Sequence, residues 1–148
     1  MHVTLLTHDP RWRGRHAPLR KAAVAALKHE KAEGAVTIVL SNDAEVRALN
    51  RDYRAKDKPT NVLSFPDGEA DGGQLSHGDI ILAFETIEQE AAEQEKRLIH
   101  HAQHLVVHGV LHLLGYDHEL GEAEAEAMEQ REIAILSGLG IANPYIAR

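Results

Sequence analysis

The chain has 148 residues, 43% of them hydrophobic and 26% charged, with a formal net charge of −7. That length supports one domain with a buried core. The absence of cysteine excludes disulfides, thiolate metal sites and cysteine nucleophiles, and the acidic balance argues against a general nucleic-acid-binding surface.

In chain order, residues 2–7 (HVTLLT) alternate loosely and predict a strand. Residues 16–33 carry Leu19, Ala22, Ala23, Ala26 and Leu27 at helical spacing, with Gly34 as the stop. Residues 35–40 (AVTIVL) are continuous and β-branched, the pattern of a strand buried on both faces. Asn42 with Glu45 three residues on predicts a capped helix over 43–51, with Val46 and Leu49 on its apolar side. The polar loop RDYRAKDKPTN leads to a strand at 61–65 halted by Pro66. Residues 66–78 predict a flexible turn or loop, and 79–84 another buried strand.

From Glu85 to Leu114 the pattern is helical with a break near Lys96. Its second part holds a wide apolar stripe at Leu98, Ala102, Leu105, Val106, Val110, Leu111 and Leu114, which predicts a central buried helix. Gly115 is placed to end it in a left-handed conformation. A last helix over 121–137 presents Ala123, Ala127, Met128, Ile135 and Leu136, and Gly138 and Gly140 close it. These elements predict an α/β (α+β) fold: one domain over 1–148, with a mixed, mostly parallel sheet of about four strands packed by helices.

No apolar run approaches the ~20 residues that span a bilayer, and the apolar part of the N-terminus is too short for a secretory leader. A cytoplasmic protein is therefore expected. Charge is unevenly spread. Basic residues gather at Arg11, Arg13, Arg15, Arg20 and Lys21 and again at Arg47, Arg51, Arg54, Lys56 and Lys58, while acidic residues gather at 85–95 and 119–132. Each cluster reads equally well as a solvated helix face or a local polyanion contact.

Histidine, at 11 residues, is the unusual component. His108 and His112 are four apart on the central helix, so both rings leave one face a turn apart and can share a metal ion. Gly115 then lets the chain turn and deliver His118. Three imidazoles leave tetrahedral Zn²⁺ one open position, the arrangement of a catalytic site. One Zn²⁺ is expected; nickel, copper or iron would also accept these nitrogens. The spacing H-x3-H-x2-G-x2-H is that of metzincin proteases. His104, one turn upstream, is the rival ligand, although a supporting or packing role suits it better. Metalloproteases carry glutamate after the first histidine as general base. Here that position is Gly109, which weighs against a peptidase and offers no obvious proton acceptor. Asp117 reads as a turn residue or as an orienting partner for a ligand imidazole. Asn61 and Ser64, beside the basic loop, are candidates for substrate contact, although turn and strand-edge hydrogen bonding suits them better.

Arg54, Lys56 and Lys58 precede a strand within five residues. A guanidinium fork matches phosphate oxygens. Facing the metal, this loop would suit a phosphodiester, with zinc hydroxide as nucleophile and Arg54 stabilising charge on the phosphate.

The segments YRAKDKPTNVLSFP (53–66) and HGVLHLLGYDH (108–118), with Gly-Asp-Ile (78–80) between them and Pro-Tyr-Ile (144–146) at the end, resemble the YbeY family of bacterial endoribonucleases and rRNA maturation factors. The resemblance covers residues 35–148. It implies zinc ligands at His108, His112 and His118 and a functional arginine at Arg54. It also implies a metal-dependent, single-strand-specific endoribonuclease acting in 16S rRNA 3′-end maturation and ribosome quality control. Implied partners are single-stranded RNA and rRNA, small-subunit ribosomal proteins and an assembly GTPase. A metal-stabilised assembly factor without catalysis, or another metallohydrolase, would be the alternative.

Overall fold

A computed structural model describes residues 1–67, 70–71 and 74–146. In chain order the elements are β1 (His2–Thr7), a 3-10 turn (Pro10–Trp12), α1 (His16–His29), β2 (Ala35–Ser41), α2 (Asp43–Arg54), β3 (Val62–Pro66), β4 (Ala70–Asp71), β5 (Gln74–Ala83), α3 (Phe84–Glu93), α4 (Leu98–Leu113), a second 3-10 turn (His118–Leu120) and α5 (Glu122–Gly138). The sheet order is β1-β2-β5-β3. The pairs β1–β2 and β2–β5 are parallel and β3 runs antiparallel to β5. This is the expected mixed, mostly parallel sheet of four principal strands. The two-residue β4 pairs with the start of β5.

Side-chain alternation assigns the two faces. Val36, Ile38 and Leu40 of β2, with Ile80 and Leu82 of β5, point into a core completed by Leu19 and Leu27 of α1, Val106 and Leu111 of α4, and Met128 and Leu136 of α5. The intervening Val39, Ile81 and Ala83 face the other way and pack with Leu63 and Val46 of α2. Both faces are covered, which is why β2 and β5 read as unbroken apolar runs. Among the described residues, no helix is long and apolar enough to cross a membrane.

Several boundaries differ from the sequence pattern. Helix α1 ends at His29 rather than near residue 33, because Lys31 takes φ +54° and the Ala32 amide reaches back to the Leu27 carbonyl. The break expected near Lys96 is present, by contrast: α3 and α4 are separated where Glu95 adopts φ +55°. The stretch expected to be a loop at 66–78 contributes β4 and the first half of β5, although residues 68–69 and 72–73 lie outside the described residues. Pro66 closes β3 from within it.

Candidate active site

Helix α4 carries the central histidines, and its seat against the sheet is fixed by Gly109. A Cβ there would lie 3.0–3.1 Å from three carbons of the buried Ile80 on β5. The residue after His108 therefore faces the sheet, and a glutamate at that position would be driven into Ile80. At the far end of α4, Gly115 takes φ +108° with open space around its missing side chain. Conformation, rather than room, calls for glycine there. The Tyr116 amide bonds the Leu111 carbonyl, and Asp117 caps the following 3-10 turn by accepting from the Glu119 amide at 2.9 Å. Asp117 is thus a turn residue, and the turn it starts begins at His118.

The hydrogen bonds of the helix histidines identify their available nitrogens. His108 Nδ1 lies 2.9 Å from Glu132 Oε2, and His112 Nδ1 lies 3.0 Å from the Tyr116 carbonyl. A carboxylate and a carbonyl only accept, so each Nδ1 carries a hydrogen and Nε2 is the nitrogen not engaged by these bonds. His104 is committed the other way: its Nε2 lies 2.6 Å from Glu132 Oε1, and its Nδ1 is buried with no partner among the described residues. His104 therefore engages Glu132 through Nε2. The His108 and His118 rings stand 5.1 Å apart, centre to centre. Among the described residues, no three His, Asp or Glu side chains form a closed metal-holding group. The structure therefore brings His108 and His118 together, with His112 one turn along α4. The donor chemistry nonetheless fits a borderline cation: each helix imidazole has Nδ1 engaged by an acceptor, which leaves Nε2 as the nitrogen for a ligand, the usual arrangement of a metal-binding histidine.

Glu132 went unrecognised in the sequence. It is 1% exposed and accepts from His104, His108 and the Tyr145 hydroxyl, the last at 2.5 Å. Burial alone would push its carboxyl up, but these hydrogen bonds and the nearby His108 outweigh burial and hold it at about 2. Burial and then Glu132 push the Tyr145 hydroxyl above its ordinary range. The signal was present in the helical period. Glu132 stands four residues after Met128 and three and four before Ile135 and Leu136, on the buried stripe of α5.

A cleft of about 350 Å³ is lined by Arg54, Thr60, Asn61, Val62, His104, Leu105, His108, His118, Glu119 and Tyr145. Arg54, the last residue of α2, reaches the same cleft as His108 and His118 from the opposite side of the sequence. Its loop is tied back: Ala55 takes φ +57°, the Lys56 amide bonds the Asn50 carbonyl, and Asn50 Nδ2 donates to the Lys58 carbonyl at 2.9 Å. Lys56 and Lys58 are exposed and are not among the lining residues. Asn61 lines the cleft and donates to Glu90 at 3.0 Å, whereas Ser64 sits in the β3–β5 ladder opposite Ile80. Glu119 is the carboxylate among the lining side chains, a second residue that the sequence left unassigned. Of the first basic cluster, Arg11 pairs with Asp9 and Glu85 and lies over the Phe84 ring, a structural role.

A family model described as Endoribonuclease YbeY matches residues 13–140. The chain belongs to the YbeY endoribonuclease family. Curated relatives called Endoribonuclease YbeY include those of Magnetococcus marinus, 54% identical over 75% of this chain and 82% of the relative, and Azorhizobium caulinodans, 53% identical over 84% and 80%. A third, from Novosphingobium aromaticivorans, is 56% identical over 74% and 71%. A solution structure of a Thermotoga maritima protein superimposes with a TM-score of 0.62 over 98% of this chain and 96% of that one. At 24% identity it speaks to the fold alone. The YbeY model takes in both motif segments, 53–66 and 108–118.

Proposed function

We propose that this chain is a metal-dependent endoribonuclease that cleaves single-stranded RNA, with rRNA of the small subunit as its cytoplasmic substrate and with ribosomal proteins and an assembly GTPase as partners. The observation that carries this reading is the shared cleft. Arg54 lines the same walls as His108 and His118, so a phosphate held by the guanidinium lies beside the imidazoles. His108, His112 and His118 are the residues that would hold Zn²⁺ or a similar divalent cation. Such a cation, bound by neutral imidazoles, supplies Lewis acidity and a water acidified to a pKa of about 7.

The chain's own groups do the rest. Arg54 takes the non-bridging oxygens of the scissile phosphate in its fork and offsets the charge that grows on them. Thr60 and Asn61, on the same wall, offer neutral hydrogen bonds to the sugar-phosphate strand. Glu119 is the carboxylate in reach of the cleft and is the group to accept a proton there. Lys56 and Lys58, outside the cleft wall, contribute at most to the approach of the polyanion. Peptide hydrolysis is disfavoured because the position of a metalloprotease base is filled by Gly109 packed on Ile80.

The deciding experiment is cleavage of a short single-stranded RNA by metal-loaded wild type, H112A and R54A. Loss of cleavage in both variants is expected. Equal cleavage by all three would remove the reading, since the activity would then come from a contaminant. Restoration of rRNA processing in cells by a metal-bound, cleavage-dead variant would favour the assembly-factor alternative.

A further inference from the structure

We propose that Tyr145, in the C-terminal tail, is a positioning residue for His108, acting through the Glu132 carboxylate. This rests on the reading of His108 as a metal ligand. Glu132 divides its two oxygens: Oε2 lies 2.9 Å from His108 Nδ1, while Oε1 takes His104 Nε2 at 2.6 Å and the Tyr145 hydroxyl at 2.5 Å. The terminal torsion of a glutamate is soft. A carboxylate held at one oxygen could swing and take the His108 ring with it. Two donors on Oε1 remove that freedom, so Oε2 stays aimed at Nδ1 and the opposite nitrogen of His108 stays aimed away from Glu132.

The tail is placed to do this. The Ile141 amide bonds the Leu136 carbonyl at 2.9 Å, which turns the chain back at the end of α5. The Tyr145 amide donates to Asn143 Oδ1 at 2.8 Å. The Tyr145 ring then meets the His104 ring edge-on, with centres 5.5 Å apart and planes at 86°. The same tyrosine lines the cleft. Ligand orientation thus depends on two residues, Glu132 and Tyr145, that lie outside the histidine motif by 14 and 27 positions from His118. Groups that hold a ligand imidazole through its second nitrogen typically alter metal affinity 10- to 100-fold when removed.

Zn²⁺ affinity of the full chain, measured by competition with a chromophoric chelator, tests the proposal for wild type, Y145F, E132Q and H112A. The visible spectrum of the Co²⁺-loaded protein serves as a second readout. Tyr145 is 44% exposed, so loss of its hydroxyl leaves the fold intact. Expected are about 10-fold weaker binding by Y145F, about 10- to 100-fold by E132Q, a larger loss by H112A, and a changed Co²⁺ spectrum in Y145F. If H112A loses metal while Y145F keeps wild-type affinity and spectrum, the positioning role is wrong and the metal site stands. If H112A binds as wild type does, the metal reading itself fails and takes this inference with it.

Discussion

A Cβ on Gly109 would lie 3.0 Å from Cδ1 of Ile80 and 3.1 Å from its Cγ1 and Cγ2. Alanine would gain about 1 kcal/mol of helix propensity over glycine, but Ile80 is fully buried and β-branched, and two of the contacted carbons sit at its branch point. Relief requires moving α4 away from β5, and overpacking of this kind costs about 1–3 kcal/mol. G109A is therefore expected to lower stability by about 1 kcal/mol net, measured as a drop in denaturation midpoint at unchanged slope. It should also weaken RNA cleavage, because His108 and His112 ride on the displaced helix. A stabilised G109A would show that α4 has slack at this point.

Arg54 contributes a fork rather than a point charge. R54A should lower the single-turnover rate on single-stranded RNA by about 10²–10³-fold, the scale of losing one oxyanion-stabilising donor. R54K should recover little, since an ammonium cannot make the bidentate contact. Zn²⁺ affinity should be unchanged in both, because a guanidinium is no metal ligand. A fall in affinity would mean that Arg54 acts by holding the cleft together.

Glu119 follows His118 directly and lines the cleft. If it accepts a proton during cleavage, E119Q should lose about 10²-fold in rate with little change in KM, the usual scale for a positioned general base. Wild-type rates from E119Q over the full pH range would leave the proton to solvent.

Local signals carried much of the architecture. Asn42 and Glu45 predicted the start of α2, and the Asn42 side chain does accept from the Glu45 amide at 3.0 Å. The stripe from Leu98 to Leu114 predicted α4, and Gly115 its turn. What depended on distant chain segments was hidden. Strand β5 inserts between β2 and β3, so these two strands, consecutive in sequence, are not neighbours in the sheet. Helix α2 runs on to Arg54 because Ala55 adopts a left-handed conformation, which alanine rarely announces. The approach of Arg54 to His108 joins residues 54 positions apart. Glu132 was legible in principle, but an acidic run conceals one carboxylate that lies on the apolar stripe. Trp12 was similarly concealed among arginines. It is fully buried, with its indole N–H donating to the Ser41 carbonyl at 2.8 Å.

Helices α2 and α3 begin side by side and cap one another. Asp43 accepts from the Thr86 amide at 3.0 Å and from the Thr86 hydroxyl at 2.9 Å, while Glu85 accepts from the Asp43 amide at 3.1 Å. Both carboxylates also sit at positive helix ends. D43A should cost about 1–2 kcal/mol, the range for loss of a helix cap, and D43N less. Chemical denaturation measures both. Because α2 ends at Arg54, D43A should also reduce RNA cleavage more than Zn²⁺ affinity.

His101 gives the chain a pH-dependent stability separate from the candidate site. It is 4% exposed on α4. Burial lowers its pKa below the ordinary 6.5, and the nearby Lys96 and His104 lower it further, while the 2.8 Å hydrogen bond to Glu90 opposes them without prevailing. The folded state therefore stays neutral at a pH where the unfolded chain has already bound a proton. Stability falls as pH drops through 6.5 and levels off once the folded group also protonates. In H101Q this contribution disappears. The difference in unfolding free energy, wild type minus H101Q, should fall from pH 7.5 to pH 5.5 at low salt, with the other histidines largely cancelling between the two proteins. A difference that rises over the same interval would mean that Glu90 holds His101 as the imidazolium in the folded chain.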